Sequence, residues 1–289
     1  MNFNVISPKS TPELLDLISQ HQDNNFRFCA GGTDLLLEIK KQPSDDLTVI
    51  NLAQLDDRLF TSIAKDDKYF RLGALVSANQ IINDNELRRM YPVLYESADK
   101  LASRQIRQVA TIGGNICTAS PAGDIACALV ALEAQCEILA VDRSVRIVPL
   151  SQFFLGVRKT NLKKNEILRS IIIPNIGQQG KIHSGFIKVG TRRSMEIAVV
   201  SLAFHLQTNK TDEIIQAGIA IGSIAPVIKF CQSACDYLKD RKLAEIGPAE
   251  SEAFASKALK YASPISDIRA SAWYRSEVLF NISKSIFEQ

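Results

Sequence analysis

The residues best placed to do chemistry gather at two glycine pairs, Ala30-Gly31-Gly32-Thr33-Asp34 and Thr111-Ile112-Gly113-Gly114-Asn115. Each follows apolar residues and precedes a predicted helix start. Without a Cβ, glycine takes positive φ and lets another group come close. Unpaired N–H groups at such turns form an anion cradle, and a pyrophosphate is the natural occupant. Glycine pairs also serve ordinary tight turns. Neither segment fits G-x-G-x-x-G or G-x-x-x-x-G-K-[ST], which disfavours a Rossmann fingerprint and a P-loop. Asp34 and Asp124 read equally as helix caps. A carboxylate repels a phosphate, so beside a nucleotide these acids should meet hydroxyls or ring N–H groups.

Other catalytic patterns are missing. His21, His183 and His205 lie far apart, outside any H-E-x-x-H or triad-like context, and no G-x-S-x-G elbow occurs. His205 falls in a strand pattern and reads as structural. Cys29, Cys117, Cys127, Cys136, Cys231 and Cys235 form no C-x-x-C pair, so no metal site is expected. Scattered thiols of this kind suit a reducing cytoplasm. A chain without its own acid–base set takes its redox chemistry from a cofactor.

The elements that must position these turns fit a soluble two-domain chain. There are 289 residues, 46% hydrophobic and 22% charged, with a formal net charge of +3. Charges are interspersed, so no nucleic-acid arm is present. No apolar run reaches the ~18 residues of a membrane helix. "MNFNVISPKS" lacks the basic stretch and apolar core of a secretory signal.

Thr11 is expected to cap a first helix opened by Pro12 and running to about Gln22. "FRFC" and "LTVINL" read as strands of a small βαβ-type lobe ending near Leu55, with a short helix after the first glycine pair. "FRLGALV" alternates as a strand. Two helices follow, one capped by Ser77 and one opened by Pro92 that carries Leu94, Ala98 and Leu101. "CEILAV" and "VRIVPL" form a hairpin about Asp142-Arg143-Ser144, and "EILRSIIIP" is a buried closing strand. "NIGQQGKIHSG" is the linker candidate. Beyond it, "AVVSLAFHLQTN" and "EIIQAGIAIG" pair about "KTD", and helices run to the end. Expected domains are 1–176, in lobes of about 1–55 and 56–176, and 177–289. The class is α+β.

"AGGTDLLLEIK", "LASRQIRQVATIGGNICTASPAGDIACAL", "EILRSIIIP", "GFIKVGTRRSMEIAVVS" and "DIRASAWYR" together resemble the FAD-binding (medium) subunit of the molybdenum hydroxylases. That family includes xanthine, carbon monoxide and nicotinate dehydrogenases. The likeness covers nearly the whole chain, in the family's order and length, without iron–sulfur or molybdenum portions. It implies a two-lobed FAD-binding domain of the vanillyl-alcohol-oxidase-like (PCMH) type and a smaller α+β C-terminal domain. In the family both glycine turns wrap the FAD pyrophosphate. Carried over, the first supplies Ala30, Gly31, Gly32, Thr33, Asp34 and Leu35, with Cys29 beside them. The second supplies Ala110, Thr111, Gly114, Asn115 and Cys117, and Leu101, Ala102 and Ile106 from the preceding helix line the cofactor. Asp124 matches an acid at the adenosine part. Leu168 matches an apolar residue against the isoalloxazine, and Lys188 a lysine that tunes the flavin. By spacing alone, Lys188 is a solvated strand lysine.

Two departures stand out. Several relatives have an aromatic residue where this chain has Ile187, and the cysteine-bearing insertion of members that reduce aromatic thioesters is absent. No histidine lies near either turn, so the FAD is expected to be non-covalent. The resemblance implies an electron-transfer subunit: electrons pass from a molybdenum-cofactor subunit through the 2Fe–2S clusters of an iron–sulfur subunit to FAD here, then to NAD or another acceptor. Trp273, Tyr274 and Arg275 are candidate interface residues. A self-contained flavin oxidoreductase, a redox-silent nucleotide-binding module and a structural adaptor are the competing classes. The first would need an acid–base group of its own.

Overall fold

The first lobe is a parallel sheet in the order β1-β3-β2, made of β1 (Asn4–Ile6), β2 (Phe26–Cys29) and β3 (Thr48–Asn51). The structure, a computed structural model, describes residues 3–44, 46–175, 180–192 and 195–288. Helix α1 (Thr11–His21) connects β1 to β2, and α2 (Leu35–Lys41) connects β2 to β3. Leu14, Leu15 and Ile18 put α1's apolar stripe against Ile50. The cap of α1 is Ser10, not Thr11. Ser10, with extended backbone, accepts from Glu13 N through its Oγ, whereas Thr11 is already the first helical residue and its hydroxyl donates to Asp57 at 2.5 Å.

The second lobe holds an antiparallel sheet in the order β4-β5-β10-β6-β7. Helix α3 (Arg58–Thr61) leads into β4 (Ile63–Lys65) and β5 (Tyr69–Gly73). Then come α4 (Ala78–Asn83), α5 (Asn85–Met90), α6 (Pro92–Asp99), α7 (Arg104–Val109), α8 (Ile112–Cys117) and α9 (Asp124–Ala131). Ser77 caps α4 in a reciprocal box with Gln80. Strands β6 (Gln135–Ala140) and β7 (Val145–Pro149) form the expected hairpin. After α10 (Leu150–Phe153) and the small β8 (Phe154–Gly156) and β9 (Lys159–Thr160) pair, β10 (Glu166–Pro174) returns between β5 and β6. Both of its faces are covered, Ile167 by the core around α1 and Leu168, Ile171 and Ile173 by the second lobe's core, which explains why "EILRSIIIP" is apolar almost throughout.

The C-terminal sheet is a meander of β11 (Ile182–Val189), β12 (Val200–Thr208), β13 (Ile214–Gly222) and β14 (Lys229–Phe230). The linker candidate is therefore shortened: residues 176–179 lie outside the described residues, and Ile182 already begins a strand. Helices α11 (Gln232–Leu238), α12 (Pro248–Leu259) and α13 (Ala272–Ser285) cover one face of the meander. Phe254 and Leu279 are fully buried there, each contributing about 2–3 kcal/mol of apolar burial.

Helix α9 joins the second lobe to this sheet. All eight of its residues are buried, because the lobe's core lies on one side and β12 and β13 on the other. Gly218 makes the approach possible: a Cβ there would fall 1.9 Å from the Ala131 carbonyl oxygen. No helix among the described residues is long and apolar enough to cross a membrane.

Candidate functional site

The first glycine turn joins β2 to α2. Gly31 packs on the backbone ahead of α8, where an added Cβ would stand 1.9 Å from Val109 O. Gly32 takes φ +69°, the left-handed region that favours glycine. Among the described residues, the amides of Gly31, Gly32, Thr33 and Asp34 have no protein acceptor. Asp34 precedes α2 but makes no side-chain cap. Its carboxylate instead accepts from Thr118 Oγ1 at 3.1 Å and pairs with Arg158 at 3.3 Å. The repulsion expected between this acid and an anion at the turn is thereby offset, and the two lobes are tied together.

The second glycine segment differs from the open turn expected of it. Thr111 caps α8, and Gly113 and Gly114 lie in the helix's first turn. Their amides are already satisfied. Ile112 N donates to Val76 O, Gly113 N to Ala74 O, Gly114 N to Thr111 Oγ1 and Asn115 N to Thr111 O. Of the two segments, only the first keeps its amides without protein acceptors. Gly114 keeps an open flank, because a Cβ there would meet only Thr111 Oγ1, at 3.0 Å. Asn115 Oδ1 accepts from Ala126 N at 3.0 Å, so α8 also positions the start of α9.

At that start, Lys188 Nζ donates to Asp124 Oδ2 at 2.6 Å and to Lys100 O at 3.3 Å. The two side chains are 5% and 4% exposed, so Lys188 is no solvated strand lysine. Burial pushes the Asp124 carboxyl up to about 6, against the pull of Lys188, and Glu196 pushes the same way as burial. Asp124 Oδ1 is buried with no partner, an acceptor left open for a ligand N–H or O–H. The family resemblance sets Asp124 at the adenosine part and Lys188 near the flavin, at opposite ends of the dinucleotide. The Lys188 side chain, from β11, reaches Asp124 at the first residue of α9, so the structure joins them at one place.

Beside the pair opens a cleft of about 290 Å³ lined by Asp99, Lys100, Ala102, Arg107, Lys188 and Glu196, with the exposed Met195 at its edge. Its three cations and two acids suit a polar, anionic ligand group. Leu101 and Ala102 lie in the turn between α6 and α7 rather than in a helix, because α6 stops at Asp99 and Ala102 takes φ +41°. Arg107 clamps this turn through Leu101 O and Ala102 O.

The remaining expected residues divide by exposure. Ile106 is exposed on α7, Ala110 is buried, Cys29 is half-buried beside Gly32 and Cys117 is exposed. Leu35 packs into the first lobe beneath the turn. Leu168 is 3% exposed within the second lobe's core, alongside Ile112 and Ile116. Trp273 and Tyr274 are exposed, but Arg275 is core and cannot serve an interface. Reading the sequence missed Thr118, Arg158, Lys100, Arg107 and Glu196. Of these, Lys100 and Arg158 fall outside every segment that carries the resemblance, while Thr118, Arg107 and Glu196 lie inside such segments without standing out.

Residues 1–176 match the family described as FAD binding domain in molybdopterin dehydrogenase, and residues 186–289 match the CO dehydrogenase flavoprotein C-terminal domain. The chain is 29% identical over 290 residues to the xanthine dehydrogenase FAD-binding subunit of Escherichia coli O157:H7, covering 99% of this chain and 96% of that one. It is 32% identical over 202 residues to the nicotinate dehydrogenase FAD-subunit of Eubacterium barkeri, covering 69% and 67%. Its fold is similar to that in reconstituted CO dehydrogenase from Oligotropha carboxidovorans, with a TM-score of 0.89, 22% identity and coverage of 98% and 96%.

Proposed function

The chain belongs to the FAD-binding subunits of the molybdenum hydroxylases, and from that membership we propose that it relays electrons from a partner's iron–sulfur clusters to a soluble acceptor, NAD being the acceptor favoured. The observation that carries this reading is the Gly31–Asp34 turn, whose four amides lack protein acceptors while its acid lies 3.3 Å from Arg158, a cation it shares with Glu38. FAD, when bound, would supply the redox chemistry, since a flavin can take up electrons singly and give them up in pairs.

This chain's residues fit that cofactor. The amides of Gly31 to Asp34 hold the pyrophosphate, with Ala30 and Cys29 behind them. Thr111, Gly114, Asn115 and Cys117 border it from α8, where the flank of Gly114 is open. Asp124 Oδ1 accepts from an N–H or O–H of the ligand, and Lys188 partly offsets the effect of burial on that carboxyl and places a positive charge beside it. Ala102 and Ile106 bound the cleft. Leu168 supports α8 from beneath. Among the described residues no histidine or cysteine lines the cleft, which favours a relay over a self-contained oxidoreductase. The six unpaired cysteines suit a cytoplasmic setting.

The test is a visible spectrum followed by reconstitution. The purified chain should be yellow and release one FAD on acid or heat treatment without proteolysis. Alone it should show at most NADH-to-dye activity. With iron–sulfur and molybdenum subunits added, oxidation of an N-heterocycle or aldehyde should couple to acceptor reduction. A colourless chain that FAD cannot reconstitute sinks the cofactor assignment, and hydroxylation by the single chain sinks the relay.

A further inference from the structure

The "DIRASAWYR" segment contains a buried cation that the cofactor site does not touch. Arg275, in the first turn of α13, has a side chain only 3% exposed. Its Nη2 donates to Asp267 Oδ1 at 2.9 Å, and Asp267 is itself fixed by the amides of Arg269 and Ala270. Its Nη1 donates to two backbone carbonyls, Val199 O at 2.6 Å and Ser223 O at 2.9 Å. A buried guanidinium costs several kcal/mol of desolvation, and an apolar side chain would fill the position without that cost. What the guanidinium spans is therefore informative.

Val199 N donates to Val189 O at 2.7 Å, closing the neck between β11 and β12 one residue beyond Lys188. Ser223, at φ +62°, donates its own N–H to Pro121 O at 2.7 Å, three residues ahead of Asp124. One nitrogen thus holds two residues, Val199 and Ser223, whose own amides bond the backbone next to Lys188 and the backbone ahead of Asp124. From these contacts we infer that Arg275 is a positioning residue for the cofactor site: it sets the approach of the β11–β12 neck to the start of α9, and so the alignment of the Lys188–Asp124 pair toward its ligand. The inference rests on the FAD reading above. An ordinary core ion pair would tie α13 to its own domain without coupling to that pair.

The experiment is a double-mutant cycle on FAD affinity, combined with amide hydrogen exchange on the full chain. Arg275→Met should weaken FAD binding about tenfold in the wild-type background and less than about twofold when Lys188 is already Met. Amides of Val199 and Ser223 should exchange about tenfold faster, with those of α12 around Phe254 unchanged. Arg275→Lys keeps a charge opposite Asp267, but its single nitrogen cannot reach both carbonyls and the carboxylate. This milder variant should shift both readouts in the same direction. Additive effects on affinity overturn the inference, as does exchange that rises equally in α12 or an Arg275→Met chain with wild-type affinity. The wild-type titration separately tests the cofactor reading, and the exchange comparison tests the grip of Arg275 whether or not FAD binds.

Discussion

Lys188 and Asp124 form a buried ion pair at 2.6 Å that joins the C-terminal sheet to the helix at the centre of the FAD-binding region. One carboxylate oxygen is spent on the lysine and the other is unpartnered. The pair is therefore both a structural joint and an open acceptor.

Its titration is the first prediction. The Asp124 carboxyl, at about 6 when folded against a usual 3.8, binds its proton more tightly in the folded chain. Its contribution to stability is full below about pH 4 and is lost as pH rises toward 6, amounting to on the order of 2–3 kcal/mol. Urea unfolding of the FAD-free chain and of Asp124→Asn from pH 4 to 7 should show the variant gaining on wild type across that window, on top of a constant offset for the lost pair. Parallel curves would show that Asp124 does not titrate there.

Gly31→Ala should be severe. The new methyl carbon meets a backbone carbonyl oxygen at 1.9 Å, which no side-chain rotation relieves. A loss of about 2–4 kcal/mol in unfolding free energy and of most bound flavin is expected. Gly32→Ala, strained by its positive φ and crowding only the movable Leu36 side chain at 3.2 Å, should cost about 1–2 kcal/mol. Equal effects at the two positions would contradict this division.

Gly114→Val separates ligand binding from folding. An added Cβ meets one protein atom, the Thr111 hydroxyl at 3.0 Å, so the stability change should stay within about 1–2 kcal/mol, disturbance of that cap included. Flavin content should fall sharply because the valine fills the flank left for the cofactor. Undiminished flavin would place the cofactor elsewhere.

The surface around α13 bears on assembly. Trp273 is 71% exposed at the start of α13, with Tyr274, Ile265 and Ile268 also exposed nearby in the chain. Trp273→Ser should leave the melting temperature and flavin content of the isolated chain unchanged and weaken assembly with partner subunits at least about tenfold, as expected of an aromatic anchor. Wild-type assembly by size-exclusion chromatography would remove this face from the interface.

Local signals made much of the molecule legible in advance. Ser77, Pro12 and Pro92 mark helix starts because caps and the fixed φ of proline act within one turn. The hairpin about Asp142 and the apolar run of β10 follow from strand periodicity. Local signals also mislead: Ser10 and Thr11 are both capping types, and only the backbone shows that the helix begins after Ser10, while Gly113-Gly114 reads as a turn until Ala74 and Thr111 take up its amides.

The sequence by itself determined the order of elements, the two glycine segments and, through motifs covering nearly the whole chain, membership of an FAD-binding family. Those properties depend on neighbours along the chain. Only the tertiary structure decided that the first turn and not the second keeps free amides, that Lys188 is buried against an acid 64 residues away, and that Arg275 is core while Trp273 is surface. Burial and pairing are set by which elements pack together, and a lysine in a strand or an arginine on a helix carries no local mark of what will cover it.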